Sequence, residues 1–144
     1  SVMIVPGTDG QKMSKSYNNT ISPFTDAKGM EKRIMSIKTD SLGVDEPKDP
    51  ENNTIVTLLR LVADPTTIGH VEDKFRKGGM GYGEAKKILL EKVQSYFAPM
   101  QKRYAEITDD ELRAAVKKGA EKARQVARST ISMVRQKVGL ISAD

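Results

Sequence analysis

Residues 6–16 read PGTDGQKMSKS, a glycine-rich turn that runs directly into two lysines, two serines and a methionine. Lysine side chains carry point charges on flexible stems, while serine hydroxyls and loop N–H groups are neutral donors. A glycine turn lets the backbone come close to bound oxygen atoms. This composition predicts a mobile loop that grips a polyphosphate and stabilises charge on a leaving pyrophosphate. The alternative is a solvated basic turn without a ligand.

The longer string at residues 6–21, PGTDGQKMSKSYNNTI, resembles the signature loop of class I aminoacyl-tRNA synthetases. Tyrosyl enzymes share its five-residue core, KMSKS. The preceding Pro-Gly-x-Asp-Gly, residues 35–41 (MSIKTDS) and residues 46–50 (EPKDP) are similar to the bacterial tryptophanyl-tRNA synthetase pattern. The resemblance therefore rests on specific motifs in about the first third of the chain. The rest matches only as a helical region of fitting length.

The resemblance implies an activity and a set of site residues. The reaction is ATP-dependent activation of tryptophan to its adenylate, with release of pyrophosphate, followed by transfer to the 3′ end of the cognate tRNA, tRNA(Trp). ATP then contacts the whole motif, and the catalytic cations are Lys12 and Lys15, of which Lys15 is the one usually tied to ATP. Met13 packs near the adenine, and Ser14 and Ser16 donate hydrogen bonds or order the loop. Mg²⁺ accompanies ATP, held by phosphates and water because no protein ligand set is visible.

Parts of the family pattern are missing from these residues. Class I members carry, upstream of the loop, a nucleotide-binding fold with a His-x-Gly-His type motif and an amino-acid pocket. The single histidine, His70, follows Ile68-Gly69 without a second histidine. The apolar run at residues 2–5 predicts a buried strand, the last strand of a Rossmann-type catalytic domain. We therefore expect a C-terminal fragment of a larger enzyme, inactive alone, whose full-length form is a homodimer.

Composition narrows the class of protein. The chain has 144 residues, of which 38% are hydrophobic, and it contains no cysteine and no tryptophan. The absence of cysteine excludes disulfides and thiolate metal sites, and is consistent with the reducing cytoplasm. No apolar run approaches the ~20 residues of a membrane span, so no membrane partner is expected.

Hydrophobic spacing and caps predict a mainly α-helical fold, with a bundle-like helical domain at residues 44–144 after the catalytic remnant at residues 1–43. Asn18 and Asn19 are expected to satisfy local backbone groups in a turn. Five helices are predicted: residues 26–37, capped by Asp26; 50–63, after Asp49; 65–76, ended by Gly78-Gly79; 84–104, kinked or interrupted at Pro99; and a long helix to Val138, begun by the capping box Thr108–Glu111.

The last helix carries a second indication of function. Residues 101–138 hold ten Lys or Arg and five Asp or Glu, a net charge of +5 that equals the charge of the whole chain. At about 100° per residue, a basic row falls within an arc of about 60°: Arg113, Lys117, Arg124, Arg128 and Arg135. Guanidinium groups hold phosphate oxygens bidentately, so this row predicts contact with tRNA. An adjacent apolar arc is expected to face the core: Leu112, Ala115, Val116, Ala123, Val126, Ala127 and Val134.

Two alternatives stay open for the whole chain. One is a non-catalytic helical RNA-binding module that uses the basic face alone. The other is a structural C-terminal domain in which the charged face only keeps the protein in solution.

Overall fold

The computed structural model describes residues 4–140. After a short 3-10 turn at Lys15–Tyr17, five helices follow: α1 (Ala27–Met35), α2 (Thr54–Val62), α3 (Pro65–Lys77), α4 (Tyr82–Glu106) and α5 (Asp109–Lys137). The prediction of a mainly α-helical fold is confirmed. No strand forms within residues 4–140, where a single antiparallel bridge joins Pro6 and Lys12.

The predicted N-terminal strand lies partly outside the described residues. Its first half, Val2 and Met3, is not described, and the second half, Ile4 and Val5, is exposed and in no strand. The expectation of a buried strand is therefore wrong for Ile4 and Val5. A strand needs neighbouring strands for its hydrogen bonds, and residues 4–140 contain none.

The chain packs as two compact units, Ser1–Lys102 and Arg103–Asp144. One hydrophobic core fills the first unit, and it draws on α1, α2, α3 and α4. Its fully buried members include Ile34, Leu59, Phe75 and Leu89. The core thus contains side chains from both sides of residue 43. The packing divides the chain after Lys102, whereas the predicted division into a catalytic remnant and a helical domain falls after residue 43. That functional division stays a prediction.

Local capping starts most helices where the sequence predicts them. Asp26 accepts from the N–H of Gly29 at 2.8 Å, and Asp64 accepts from the N–H of Thr67 at 2.9 Å. Two helices begin elsewhere: α4 begins at Tyr82 rather than at residue 84, and α2 begins at Thr54 rather than at residue 50. At α2 the side chain of Asn53 accepts from the N–H groups of Ile55 and Val56, at 2.9 and 3.4 Å, and so caps the helix four residues after Asp49.

The ends of the later helices follow the predicted signals in part. Gly78, at φ +82°, ends α3, and a β-carbon there would lie 2.3 Å from the carbonyl oxygen of Asp45. Pro99 lies inside α4, which continues to Glu106 without interruption. Thr108 and Glu111 form the predicted capping box at the start of α5, which ends one residue before Val138.

The second unit exposes nearly all of α5. None of its residues is buried, and Leu112, Val116 and Val126 are more than half exposed. The expectation that the apolar arc of this helix faces a core is therefore wrong within residues 4–140. The periodicity predicts correctly which residues share a face, but burial also requires a partner surface. No helix among the described residues is long and apolar enough to cross a membrane.

Two buried lysines hold the segment that follows α1. The Nζ of Lys86, on α4, donates to the carbonyl oxygens of Met35 and Ile37 at 3.0 and 2.6 Å. The Nζ of Lys48 donates to three carbonyl oxygens of residues 43–46, at 2.5 to 3.4 Å. Burial lowers the pKa of the Lys86 amine. Both amines satisfy oxygen atoms that a helix end or an irregular turn leaves without backbone partners.

Replacement of one of these lysines is expected to destabilise the first unit. We expect Lys86→Met to lower the free energy of unfolding by about 1–3 kcal/mol, because two carbonyl oxygens lose their donor. Urea unfolding measures the change. The neighbouring exposed Lys87 offers a matched control, Lys87→Met, which should leave the midpoint unchanged. Equal midpoints for the two variants would contradict the structural role of Lys86.

Candidate functional site: the glycine turn and the lysine loop

The glycine turn folds back on itself at the start of the described chain. The N–H of Gly7 donates to the carbonyl of Gln11 at 2.7 Å, and the N–H of Gly10 donates to the carbonyl of Gly7 at 3.0 Å. The N–H of Met13 then reaches the carbonyl of Val5 at 2.9 Å. This glycine turn, residues 6–10, leads directly into residues 12–16, the lysine loop.

Asn19 lies behind that loop and is 2% exposed. Its Oδ1 accepts from the N–H of Ser14 at 2.8 Å, and its Nδ2 donates to Asp9 Oδ1 at 2.8 Å and to the carbonyl of Lys12 at 3.1 Å. Its own carbonyl accepts from the N–H of Thr8 at 2.9 Å. The prediction that Asn19 satisfies local backbone groups is confirmed.

A second contact fastens the far end of the loop to α1. Asn18 has a left-handed φ of +50°, and its N–H donates to the carbonyl of Lys15 at 3.1 Å. The guanidinium of Arg33 donates to both oxygens of Asn18, the backbone oxygen at 3.0 Å and Oδ1 at 2.7 Å. This fork fixes an asparagine conformation that few other residues adopt.

The lysine loop brings its two cations to the surface. Lys12, Lys15 and Ser16 are exposed, and Ser14 is half-buried with its Oγ accepting from the N–H of Ser16 at 3.3 Å. Neither lysine forms an ion pair with any residue in the range 4–140, whereas Arg60 and Arg76 are paired. The loop therefore offers two positive charges that no described residue neutralises, on a backbone that Asn18 and Asn19 hold by hydrogen bonds, an arrangement suited to a polyanion. That the loop is mobile stays a prediction.

The loop borders two cavities of different lining. One is an open cavity of about 590 Å³, lined by Asp9, Gln11, Lys12 and Tyr17. The other is an apolar cleft of about 400 Å³, which the half-buried Met13 lines. Val5, Ile21 and side chains of α2 and α4 complete that cleft: Leu58, Leu61, Val62, Val93, Tyr96 and Phe97.

Of the four residues that line the open cavity, Asp9 is the acidic one. The hydrogen bond from Asn19 is the largest cause that lowers the pKa of the Asp9 carboxyl, and the N–H of Gln11 adds to it. Asp9 is therefore ionised at neutral pH and acts only as an acceptor. Its negative charge orients the Asn19 amide rather than neutralising the lysines.

The basic row of α5 lies in the second unit and is exposed along its length. All five predicted tRNA-contacting residues are exposed: Arg113, Lys117, Arg124, Arg128 and Arg135. None of them pairs with a described acidic residue, whereas Arg103 binds Glu111 at 2.9 Å. The helix geometry brings the five side chains onto one face, as the spacing predicts.

Sequence reasoning did not assign a functional role to Asp9 or Arg33. Asp9 bonds across ten residues and Arg33 across fifteen, so no local spacing indicates either contact. The described residues also hold no group of three His, Asp or Glu side chains suited to a metal ion.

Known proteins match both the loop and the helices. The sequence pattern of the family described as tRNA synthetases class I (W and Y) matches residues 1–98. The tryptophan–tRNA ligase of Rhodopirellula baltica is 44% identical over 138 residues, which cover 94% of this chain and 43% of that protein. The tryptophan–tRNA ligase of Fusobacterium nucleatum is 41% identical over 140 residues, or 96% of this chain and 43% of that protein.

A solved structure agrees with these sequence matches. The crystal structure of tryptophanyl-tRNA synthetase from Campylobacter jejuni, complexed with ADP and tryptophan, superposes with a TM-score of 0.87 at 40% identity. The superposition covers 96% of this chain and 44% of that one. This chain thus spans less than half the length of its relatives.

Proposed function

This chain belongs to the class I tRNA synthetases of the tryptophan and tyrosine family, and on that premise we propose that it is part of a tryptophan–tRNA ligase. It supplies the loop that handles ATP and pyrophosphate and a helical region that contacts tRNA(Trp). The observation that carries the proposal is that Lys12 and Lys15 are exposed and form no ion pair with a described residue, on a loop whose backbone Asn19 holds. The relatives named above as tryptophan–tRNA ligases favour tryptophan over tyrosine as the amino acid.

In the proposed reaction, the carboxylate of tryptophan attacks the α-phosphorus of ATP and pyrophosphate leaves. Negative charge grows on the leaving oxygens, and the ammonium groups of Lys12 and Lys15 stabilise it. The backbone N–H groups and hydroxyls of Ser14 and Ser16 order the loop or donate to phosphate oxygens. Met13 packs between the loop and the neighbouring apolar cleft, beside the adenine. No side chain of this chain acts as a nucleophile, so catalysis depends on position and charge.

Mg²⁺ enters with ATP as part of the substrate. Phosphate oxygens and water hold most of its coordination sphere, since magnesium keeps several waters when it is bound with nucleotides. The two lysines then neutralise the phosphate charge that the metal leaves uncovered.

The basic row of α5 is the proposed tRNA contact. Five exposed cations on one face suit contact with phosphates, because a guanidinium can bind two phosphate oxygens and an ammonium group can bind one. Residues 1–43 would then form the catalytic remnant and residues 44–144 the tRNA-binding domain. The complete enzyme acts in the cytoplasm as a homodimer.

The test uses a complete enzyme, made by joining this chain to the part of the Campylobacter jejuni synthetase that the match leaves uncovered. We expect ATP–pyrophosphate exchange that depends on tryptophan and not on tyrosine, and no exchange from this chain alone. A folded complete enzyme without exchange would exclude the proposal. In that case tRNA binding by this chain alone would support the second candidate, a non-catalytic RNA-binding module, which the exposed basic row favours.

A further inference from the structure

We propose that Asn19 is a positioning residue for the two loop lysines, which it holds in place through their backbone. The inference rests on the proposed function of this loop and deepens it, since it assigns the preorganisation of the site to one buried amide. Lys12 and Lys15 would carry the same charge without Asn19, so the proposed role of Asn19 concerns only their position.

The position of Asn19 leaves little freedom. The residue is 2% exposed, and a β-carbon on Gly7 would lie 2.4 Å from its Cγ and 2.6 Å from its carbonyl oxygen. The glycine turn therefore presses directly against the amide. A buried amide of this kind is costly unless each polar atom finds a partner, and no described buried side-chain N or O atom lacks one.

The backbone partners of the amide lie at Lys12 and directly before Lys15. Nδ2 donates to the carbonyl of Lys12 itself, and Oδ1 accepts from the N–H of Ser14, two residues further along and just before Lys15. The backbone of Lys12 is thereby held directly and that of Lys15 through its neighbour Ser14, while both ammonium groups stay exposed. Such preorganisation lets charged groups stabilise a developing charge without moving at the moment of reaction.

Asp9 sets the orientation of the amide. An ionised carboxylate accepts hydrogen bonds only, so it must face the Nδ2 group, which in turn directs Oδ1 toward the N–H of Ser14. The same Oδ1 of Asp9 also accepts from the N–H of Gln11 at 3.0 Å. The two side chains thus form one unit that joins the glycine turn to the lysine loop.

The first experiment measures kinetics in the complete enzyme defined above. We expect Asn19→Ala to reduce kcat/KM for ATP in pyrophosphate exchange by about 100-fold, because a displacement of about 1 Å is enough for such a loss. The KM for tryptophan should stay the same. Asn52→Ala is the control, since Asn52 is an exposed asparagine whose amide contacts only Asp49 among the described residues. A merely structural role would reduce the amount of folded enzyme and leave its KM for ATP unchanged.

The second experiment removes only the donor of the amide. Asn19→Asp keeps an acceptor for the N–H of Ser14, but it sets a carboxylate oxygen against Asp9 and against the carbonyl of Lys12, where Nδ2 now donates. This variant should therefore be as inactive as Asn19→Ala. Exchange activity of Asn19→Asp at the level of the unsubstituted enzyme overturns the assignment.

The third experiment is independent of activity. Trypsin cuts after exposed lysines in mobile segments, so Asn19→Ala should speed cleavage after Lys12 and Lys15 by about tenfold, with Asn52→Ala at the parent rate. If the complete enzyme without substitutions shows no ATP–pyrophosphate exchange, the proposed function fails. The cleavage rates still show in that case whether Asn19 holds the loop. An active parent enzyme with unchanged kinetics and cleavage in Asn19→Ala refutes the role of Asn19.

Discussion

Lys15→Ala in the complete enzyme should slow formation of tryptophanyl adenylate by about 10²–10³-fold, with little change in the KM for tryptophan. The Lys15 ammonium is exposed, forms no ion pair with a described residue, and lies on a backbone that Asn18 and Asn19 fix on either side. Its loss removes a cation that acts on the charge of the departing pyrophosphate. Pre-steady-state measurement of adenylate formation separates this step from tRNA transfer.

Lys28→Ala is the matched control for this effect. Lys28 is an exposed lysine on α1, outside the glycine turn and the lysine loop, so its removal changes the net charge by the same amount. A comparable loss in the two variants would mean that net charge alone matters. Unchanged adenylate formation in Lys15→Ala would remove the proposed role. Lys12→Ala should show a loss of the same kind, since Lys12 lines the open cavity beside the loop.

The second large effect is expected for tRNA. The double variant Arg124→Glu/Arg128→Glu should weaken binding of tRNA(Trp) by at least about tenfold and reduce the slope of log affinity against log salt by about 2. Each arginine that contacts a phosphate releases a counterion, and each glutamate adds repulsion. Filter binding at several salt concentrations measures both quantities. Tryptophan-dependent exchange does not involve tRNA and should be unchanged.

The same helix provides the control. Lys118 and Lys122 are exposed and lie about 120° around α5 from the arginine pair, so Lys118→Glu/Lys122→Glu makes the same change in charge on another face. If both double variants weaken binding equally, the helix attracts tRNA through net charge rather than through the basic row. Unchanged affinity in the arginine variant identifies the row as a solvated surface.

Local interactions explain why many boundaries could be predicted. Asp26, Asp64 and the Thr108–Glu111 box each act on N–H groups three residues away, so the sequence within one helical turn decides these helix starts. The start of α2 shows the limit of this reasoning. Asp49 and Asn53 are both competent caps, and the turn before α2 uses Asn53 while Asp49 binds the N–H of Glu51.

Burial was the less predictable property. The apolar residues of α2, such as Ile55 and Leu59, are fully buried as their spacing predicts, but the equally periodic Leu112 and Val116 of α5 are exposed. Spacing determines which side chains share a face, because the helix repeats every 3.6 residues. It contains no information about what surface, if any, covers that face.

The sequence by itself determined the helical class, the residue types of the lysine loop and the single face that gathers the basic row, because all three follow from composition and short spacing. Only the tertiary structure decided how the loop is held. Asn19 reaches Asp9 across ten residues, Arg33 reaches Asn18 across fifteen, and Lys86 reaches Ile37 across forty-nine. Contacts at such separations depend on how the helices pack around a shared core, and no local pattern of residues encodes that packing.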